Sequence, residues 1–264
     1  MKIGFIGCGN MARAIIGGII KMQVAKPEDI FVSAHTEVSV KKAEADFSVN
    51  GCGSNTEVVK NSDIVFYAVK PQVYEEVISE TAGDLTKEKV AVSIAPGKTL
   101  EWLGERMGSD IKIVRAMPNT PAQVGEGATA VCVNDAVTDS DLESVNRIFE
   151  SIGRVYMLKE SMMDGFISVC GSSPAYIYML IDAMADGAVI GGIPKSQAIQ
   201  LAAQAVLGSA KMVLETGIHP AELRDKVCSP AGTTIEAVRV LEEMGFRSAV
   251  IEAEVECQKK SASM

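Results

Sequence analysis

Two short stretches carry residue types and spacings that could do chemistry. The first is Gly7-Cys8-Gly9-Asn10-Met11-Ala12. In this GxGxxA spacing, Gly7 permits a tight turn, Gly9 lets backbone approach a pyrophosphate, and Ala12 keeps a helix close to a strand. The phosphates would rest on the free N–H groups of the helix start. Any tight strand-to-helix turn could share the pattern, but its place directly behind the apolar run Ile3 to Ile6 points to dinucleotide binding. The second stretch is Cys228-Ser229-Pro230-Ala231-Gly232-Thr233-Thr234. Hydroxyls at 229, 233 and 234, a flexible Gly232 and the N–H groups of a following helix make either a carboxylate site or an elaborate helix cap. No other stretch of the C-terminal half offers comparable chemistry.

The elements that must position these residues follow from patterning. Ile3 to Ile6 reads as a strand and Ala14 to Ile20 as an apolar helix; Ile30 to Ser33 reads as a second strand. Its end lies where NAD enzymes usually place Asp or Glu for the ribose 2′-hydroxyl. Here that end reads Ser33-Ala34-His35-Thr36, with no acid to repel a 2′-phosphate. Ser33, His35 and Thr36 can donate to one, and Lys41 and Lys42 follow within a helical turn or two, which favours NADP over NAD. Thr36 equally suits the cap of the next helix.

Asp63 to Val69 and Val90 to Ala95 are nearly unbroken apolar runs, as expected of parallel strands covered on both faces. They stop at Lys70-Pro71, ahead of a helix over Gln72 to Thr81, and at Pro96-Gly97. Ligands gather beyond the carboxyl ends of strands in open α/β sheets, so Ala68 to Pro71 and Ser93 to Ala95 are either cofactor-side residues or plain strand terminators. Lys112 to Met117 leads into Pro118-Asn119-Thr120-Pro121, a proline-fixed turn whose polar side chains are expected outside the core. That turn is either structural or cofactor-lining. Gly127 to Val133 and Arg154 to Leu158 complete the strands, around a helix from Thr138 to Ile152 with Thr138 as its cap.

From Ser161 onward the pattern is helical only: 162–170, 175–190, 196–215, 221–227, 234–244 and 248–258. The switch from alternating strands and helices to helices alone predicts two domains, 1–160 for the dinucleotide and 161–264 helical. The helix from Ala175 to Ile190 is apolar on nearly every face, broken by Asp182 and Asp186, and Ala198 to Val213 is rich in Ala, Leu, Val and Gly. So short a domain has few partners for such faces, which predicts burial against a second copy in an intertwined homodimer.

The chain has 264 residues and a net charge of −9, arguing against nucleic acid or anionic membrane as a partner. No secretory h-region precedes the first strand, and no apolar run reads as long and uncharged enough to span a bilayer; a cytoplasmic protein is expected. Six cysteines without a CxxC pair and two histidines, His35 and His219, suit reduced thiols and no metal site.

Taken together, GFIGCGNMA at 4–12, AVKPQ at 68–72, MPNTP at 117–121, GSSPAY at 171–176, SPAGTTIEAV at 229–238 and GFRSAVIEA at 245–253 resemble the pyrroline-5-carboxylate reductase family, which performs the last step of proline synthesis. The resemblance spans the whole chain. It implies an α/β N-terminal Rossmann-like domain, doubly wound with a mostly parallel sheet, followed by an all-α dimerisation domain whose dimers often assemble into rings. It implies NADPH, with NADH possible, held by Ile6, Gly7, Gly9, Asn10 and Met11 at the pyrophosphate, Ser33, His35 and Asn55 at the adenosine end, and Ala68, Val69, Lys70 and Ala95 nearer the nicotinamide. Pyrroline-5-carboxylate would be held by Ser229, Gly232 and Thr233, with Thr234 as the catalytic hydroxyl, on a loop supplied by the partner subunit. Two departures stand out: the family usually has Gly where this chain has Ser173 and Ala231. A positive φ would strain either residue, but neither exchange removes a hydrogen-bonding group. A β-hydroxyacid dehydrogenase would need a Lys where Ile177 stands, another cyclic imine could be the substrate, and a non-catalytic nucleotide-binding protein would not need the hydroxyl cluster.

Overall fold

The computed structural model describes residues 1–263. In chain order the elements are β1 (Ile3–Ile6), α1 (Asn10–Lys21), β2 (Ile30–Ser33), α2 (Glu37–Phe47), β3 (Asn50–Gly51), α3 (Asn55–Asn61), β4 (Ile64–Tyr67), α4 (Tyr74–Thr81), β5 (Val90–Ser93) and α5 (Leu100–Met107). They continue with β6 (Lys112–Pro118), β7 (Gly127–Val133), α6 (Asp139–Glu150), β8 (Gly153–Met157), α7 (Met163–Phe166), α8 (Ser173–Ile190), α9 (Lys195–Thr216), α10 (Pro220–Val227), α11 (Thr233–Glu243) and α12 (Phe246–Ala262). A π-helical turn, Ile167–Ser172, joins α7 to α8, and α4 is preceded by a 3₁₀ turn at Pro71–Val73. The chain forms two compact units, Met1–Gly171 with the stretch from Gln258 onward, and Ser172–Cys257.

The first unit is an eight-stranded sheet in the order β3-β2-β1-β4-β5-β6-β7-β8, parallel throughout except for the β6–β7 pair. Its strands are apolar on both faces because helices cover both. On one face α1 and α6 pack Ile15, Ile16, Ile19, Val145, Ile148 and Phe149 against Phe5 and Phe66. The Phe5 and Phe66 rings stack at 4.8 Å and Phe149 meets Phe66 edge-on at 5.7 Å. On the other face α3, α4 and α5 bring Val58, Tyr74, Ile78 and Leu103 onto Ile6, Val65 and Tyr67. Register aligns the strand ends: Ser33 pairs with Ile6, Ile6 with Tyr67 and Tyr67 with Ser93. One carboxyl edge thus carries the last residues of β2, β1, β4 and β5 in a row.

The second unit is built differently. Among the described residues from 172 to 257, the buried hydrophobic positions are Ala185, Ala198 and Ala202, while Tyr178, Met179, Ile190 and Leu201 are exposed. Helices α10, α11 and α12 contain no buried residue. The expectation that no apolar run could span a bilayer is corrected here. Glu160–Ile190 forms one helical run long and apolar enough to cross a membrane by length and composition, because the π turn joins α7 to α8 without a break.

Candidate functional site

The glycine turn sits where β1 meets its two neighbours, the point at which the chain's crossovers change direction and a crevice opens in sheets of this kind. Gly7 has φ of +96°, its N–H donates to the Ser33 carbonyl at 2.9 Å, and an added Cβ would stand 2.6 Å from the Ala68 carbonyl oxygen. Packing between strand ends therefore fixes Gly7. Gly9 differs: its φ is an ordinary −78°, and an added Cβ would meet nothing within 4 Å. Gly9 also begins α1 without a side-chain cap or an acid in the first turn. By contrast α2, α3, α5 and α6 are capped by the hydroxyls of Thr36, Ser54, Thr99 and Thr138. Open space beside bare, positively polarised N–H groups fits a pyrophosphate. Asn10 is exposed, Met11 partly buried and Ile6 fully buried beneath the turn. Burial pushes the Cys8 thiol pKa up, with the Arg13 charge opposing, so Cys8 stays protonated at neutral pH.

At the end of β2 the structure brings together more than the local sequence suggests. Ser33 is buried, and its hydroxyl donates to Asn55 Oδ1 at 2.7 Å. Asn55 Nδ2 donates to Glu80 Oε2 at 2.7 Å. The absence of an acid holds for the strand end itself but not in space, because α4 delivers Glu80. His35 is exposed, Thr36 accepts from the Ser39 N–H at 3.3 Å as cap of α2, and Lys41 pairs with Glu37 at 2.6 Å.

Beyond β4 and β5, Ala68 donates its N–H to the Ile6 carbonyl at 2.8 Å, Val69 is half-buried, Lys70 is exposed and Ala95 is buried. A hydroxyl chain that sequence reasoning missed holds these strand ends. Tyr74 donates to the Tyr67 carbonyl at 2.6 Å and lies 3.0 Å from Ser93 Oγ, and Tyr67 Oη lies 3.0 Å from Thr81 Oγ1. Burial pushes the Tyr67 phenol pKa up to about 12 and that of Tyr74 higher still, so both serve as neutral hydrogen-bonding struts.

The polar side chains of the 118–121 turn were expected outside the core, and Asn119 corrects this. It is buried, donating to the Cys170 carbonyl at 2.9 Å and accepting from the Ala128 N–H at 2.8 Å. Pro174 has no N–H to return to the carbonyl four residues back, that of Cys170, and Asn119 supplies a donor there.

In the second unit α11 starts from Gly232, again with no side-chain cap. The Gly232 N–H closes the loop onto the Ser229 carbonyl at 3.0 Å. Ser229, Thr233 and Thr234 are all exposed around this helix start. Ala231 has φ of +58°, so the exchange of Gly for Ala falls on a left-handed position, whereas Ser173 opens α8 without one. The six cysteines are free thiols, and among the described residues no three His, Cys, Asp or Glu side chains converge to hold a metal.

A doubly wound sheet with a glycine turn at its switch point, followed by a helical unit, defines a dinucleotide-fold oxidoreductase class. Residues 2–97 match the model described as NADP oxidoreductase coenzyme F420-dependent, and residues 160–264 match that of pyrroline-5-carboxylate reductase dimerisation. The pyrroline-5-carboxylate reductase of Escherichia coli is 52% identical over 263 residues, covering 100% of this chain and 98% of the relative; that of Arabidopsis thaliana is 41% identical, covering 100% and 95%. Among solved structures, a Coxiella burnetii pyrroline-5-carboxylate reductase aligns with a TM-score of 0.93 at 34% identity, covering 99% and 97% of the two chains. A Plasmodium falciparum pyrroline carboxylate reductase with NADP bound aligns at 0.90 and 33%, covering 100% and 97%. This chain belongs to the pyrroline-5-carboxylate reductase family.

Proposed function

We propose that this protein reduces L-1-pyrroline-5-carboxylate to L-proline with NADPH, accepting NADH as well, and that it works in the cytoplasm as a homodimer or a ring of dimers. One observation carries the reading: the Ser229, Thr233 and Thr234 hydroxyls stand exposed at a glycine-capped helix start. In a protein of this family that arrangement suits a small anionic substrate.

Gly7, Gly9, Asn10 and Met11 hold the pyrophosphate, Ser33, His35 and Asn55 the adenosine end, and Ala68, Val69, Lys70 and Ala95 the nicotinamide end. When bound, NADPH supplies the hydride that the C=N carbon accepts. The Ser229 hydroxyl and the Thr233 N–H bind the substrate carboxylate, which lies against the Gly232 backbone and is aided by the positive end of α11; the Gly232 N–H itself holds the loop closed on the Ser229 carbonyl. Thr234 holds the ring nitrogen: its oxygen accepts from the iminium N–H, and its rotatable proton can turn toward the lone pair that forms as the ring becomes an amine. A protonated imine is already electrophilic, so no His or Lys is needed beside it. His219 is otherwise engaged, accepting the Ala221 N–H at 3.2 Å at the start of α10. The helical unit leaves its apolar faces to a second copy, whose 229–234 loop completes the site.

The test is to mix purified protein, pyrroline-5-carboxylate and either reduced cofactor, and to follow nicotinamide absorbance and proline together. Loss of absorbance with matching proline is expected; no oxidation with either cofactor overturns the reading.

A further inference from the structure

We propose that Glu80 is a specificity-determining residue that tempers the preference for a 2′-phosphorylated cofactor, an inference that rests on the functional reading above. In a doubly wound sheet the ribose 2′ substituent lies beyond the end of β2, which here is Ser33. The Ser33 hydroxyl donates to Asn55 Oδ1, which fixes the amide so that Nδ2 faces outward to the Glu80 carboxylate at 2.7 Å. Nδ2 has a second N–H left for a ligand. A carboxylate thus stands one amide group away from where a 2′ substituent would be held.

Its effect depends on the cofactor. A 2′-hydroxyl is neutral and the carboxylate is tolerated beside it, whereas a 2′-phosphate is repelled through space. Other charges around this strand end do not cancel Glu80. The Glu57 and Glu44 carboxylates accept from the Gly53 and Gly51 N–H groups at 2.8 and 3.1 Å, and the Lys41 ammonium is already paired with Glu37. Lys42 on α2 is exposed, where solvent and salt screen its charge. A β2 end without its own acid admits the phosphate, and Glu80 keeps the discrimination modest.

Glu80→Gln removes the charge and keeps an oxygen to accept from Asn55. The measurements are the dissociation constants of NADP⁺ and NAD⁺ by calorimetry and kcat/KM for NADPH and NADH, each at low and high salt. The NADP-to-NAD ratio of affinities, and that of kcat/KM, should rise by roughly three- to thirty-fold at low salt, and less at high salt where the charge is screened. An unchanged ratio at both salts overturns the proposal. Failure of the unmutated protein to oxidise either cofactor would overturn the functional reading alone, leaving the affinity ratio to decide the role of Glu80.

Discussion

The helix starts at Gly9 and Gly232 offer the same chemistry on very different foundations. Both helices begin on a glycine without a side-chain cap, and so both present bare N–H groups. Yet α1 drives Ile15, Ile16 and Ile19 into a sheet core, while α11 buries no residue at all within its own chain. The Gly9 start is therefore set by one chain's packing. The Gly232 start stands on helices that bury no residue of their own, the faces that the proposed second copy would cover.

The sharpest way to probe the first start is to contrast its two glycines. Gly9→Val enters open space at an ordinary φ; unfolding should show a loss of about 1 kcal/mol or less, while calorimetry should find NADPH binding weakened by at least about a hundred-fold. Gly7→Val meets the Ala68 carbonyl at positive φ and should instead lose several kcal/mol, roughly 3 or more, with binding lost through the fold. If the two variants behaved alike, Gly9 would be structural too.

The second start is probed through its hydroxyl. Thr234→Ala should lower kcat by about ten- to a thousand-fold while NADPH affinity holds, and unchanged turnover would remove Thr234 from the chemistry. A smaller effect belongs to the loop before it. Ala231→Gly relieves a left-handed residue and should stabilise the helical unit by about 1 kcal/mol in thermal unfolding, shifting substrate KM more than kcat.

Helix α6 is the control for both, since its start is closed by its own side chains. Thr138 and Asp141 form a reciprocal cap, and Asp141 also meets Lys112 at 2.8 Å. Burial would raise the Asp141 pKa, but hydrogen bonds from Lys112 and Thr138 outweigh it and hold the carboxyl below its usual value. Its stabilisation is thus complete above the unfolded pKa of about 4 and is lost as pH falls through the lower folded value. Asp141→Asn should flatten the acid limb of the stability curve below about pH 4 and leave cofactor affinity unchanged.

The same contrast explains what was legible in the sequence. β1 and β2 are read at their observed bounds because their apolar runs end on a glycine turn and on Ser33-Ala34-His35-Thr36. The glycine turn and the hydroxyl loop are likewise contiguous, so both stand out as candidates from the residues alone. The short β3 has too few residues to pattern. Glu80 and Asn119 were not legible because each works at a place far from its own position in the chain. Asn119 acts through the Cys170 carbonyl, which Pro174 cannot serve, and Glu80 reaches the β2 end only through Asn55.

The most direct test of a site assembled from two copies is complementation between Gly9→Val and Thr234→Ala. Each variant alone should be nearly inactive. If the hydroxyl loop comes from the partner subunit, hybrid dimers contain one site with both halves intact, and an equal co-expressed mixture should recover about a quarter of the unmutated activity. If the loop serves its own chain, every hybrid site carries one defect, and the mixture will stay as inactive as its parents.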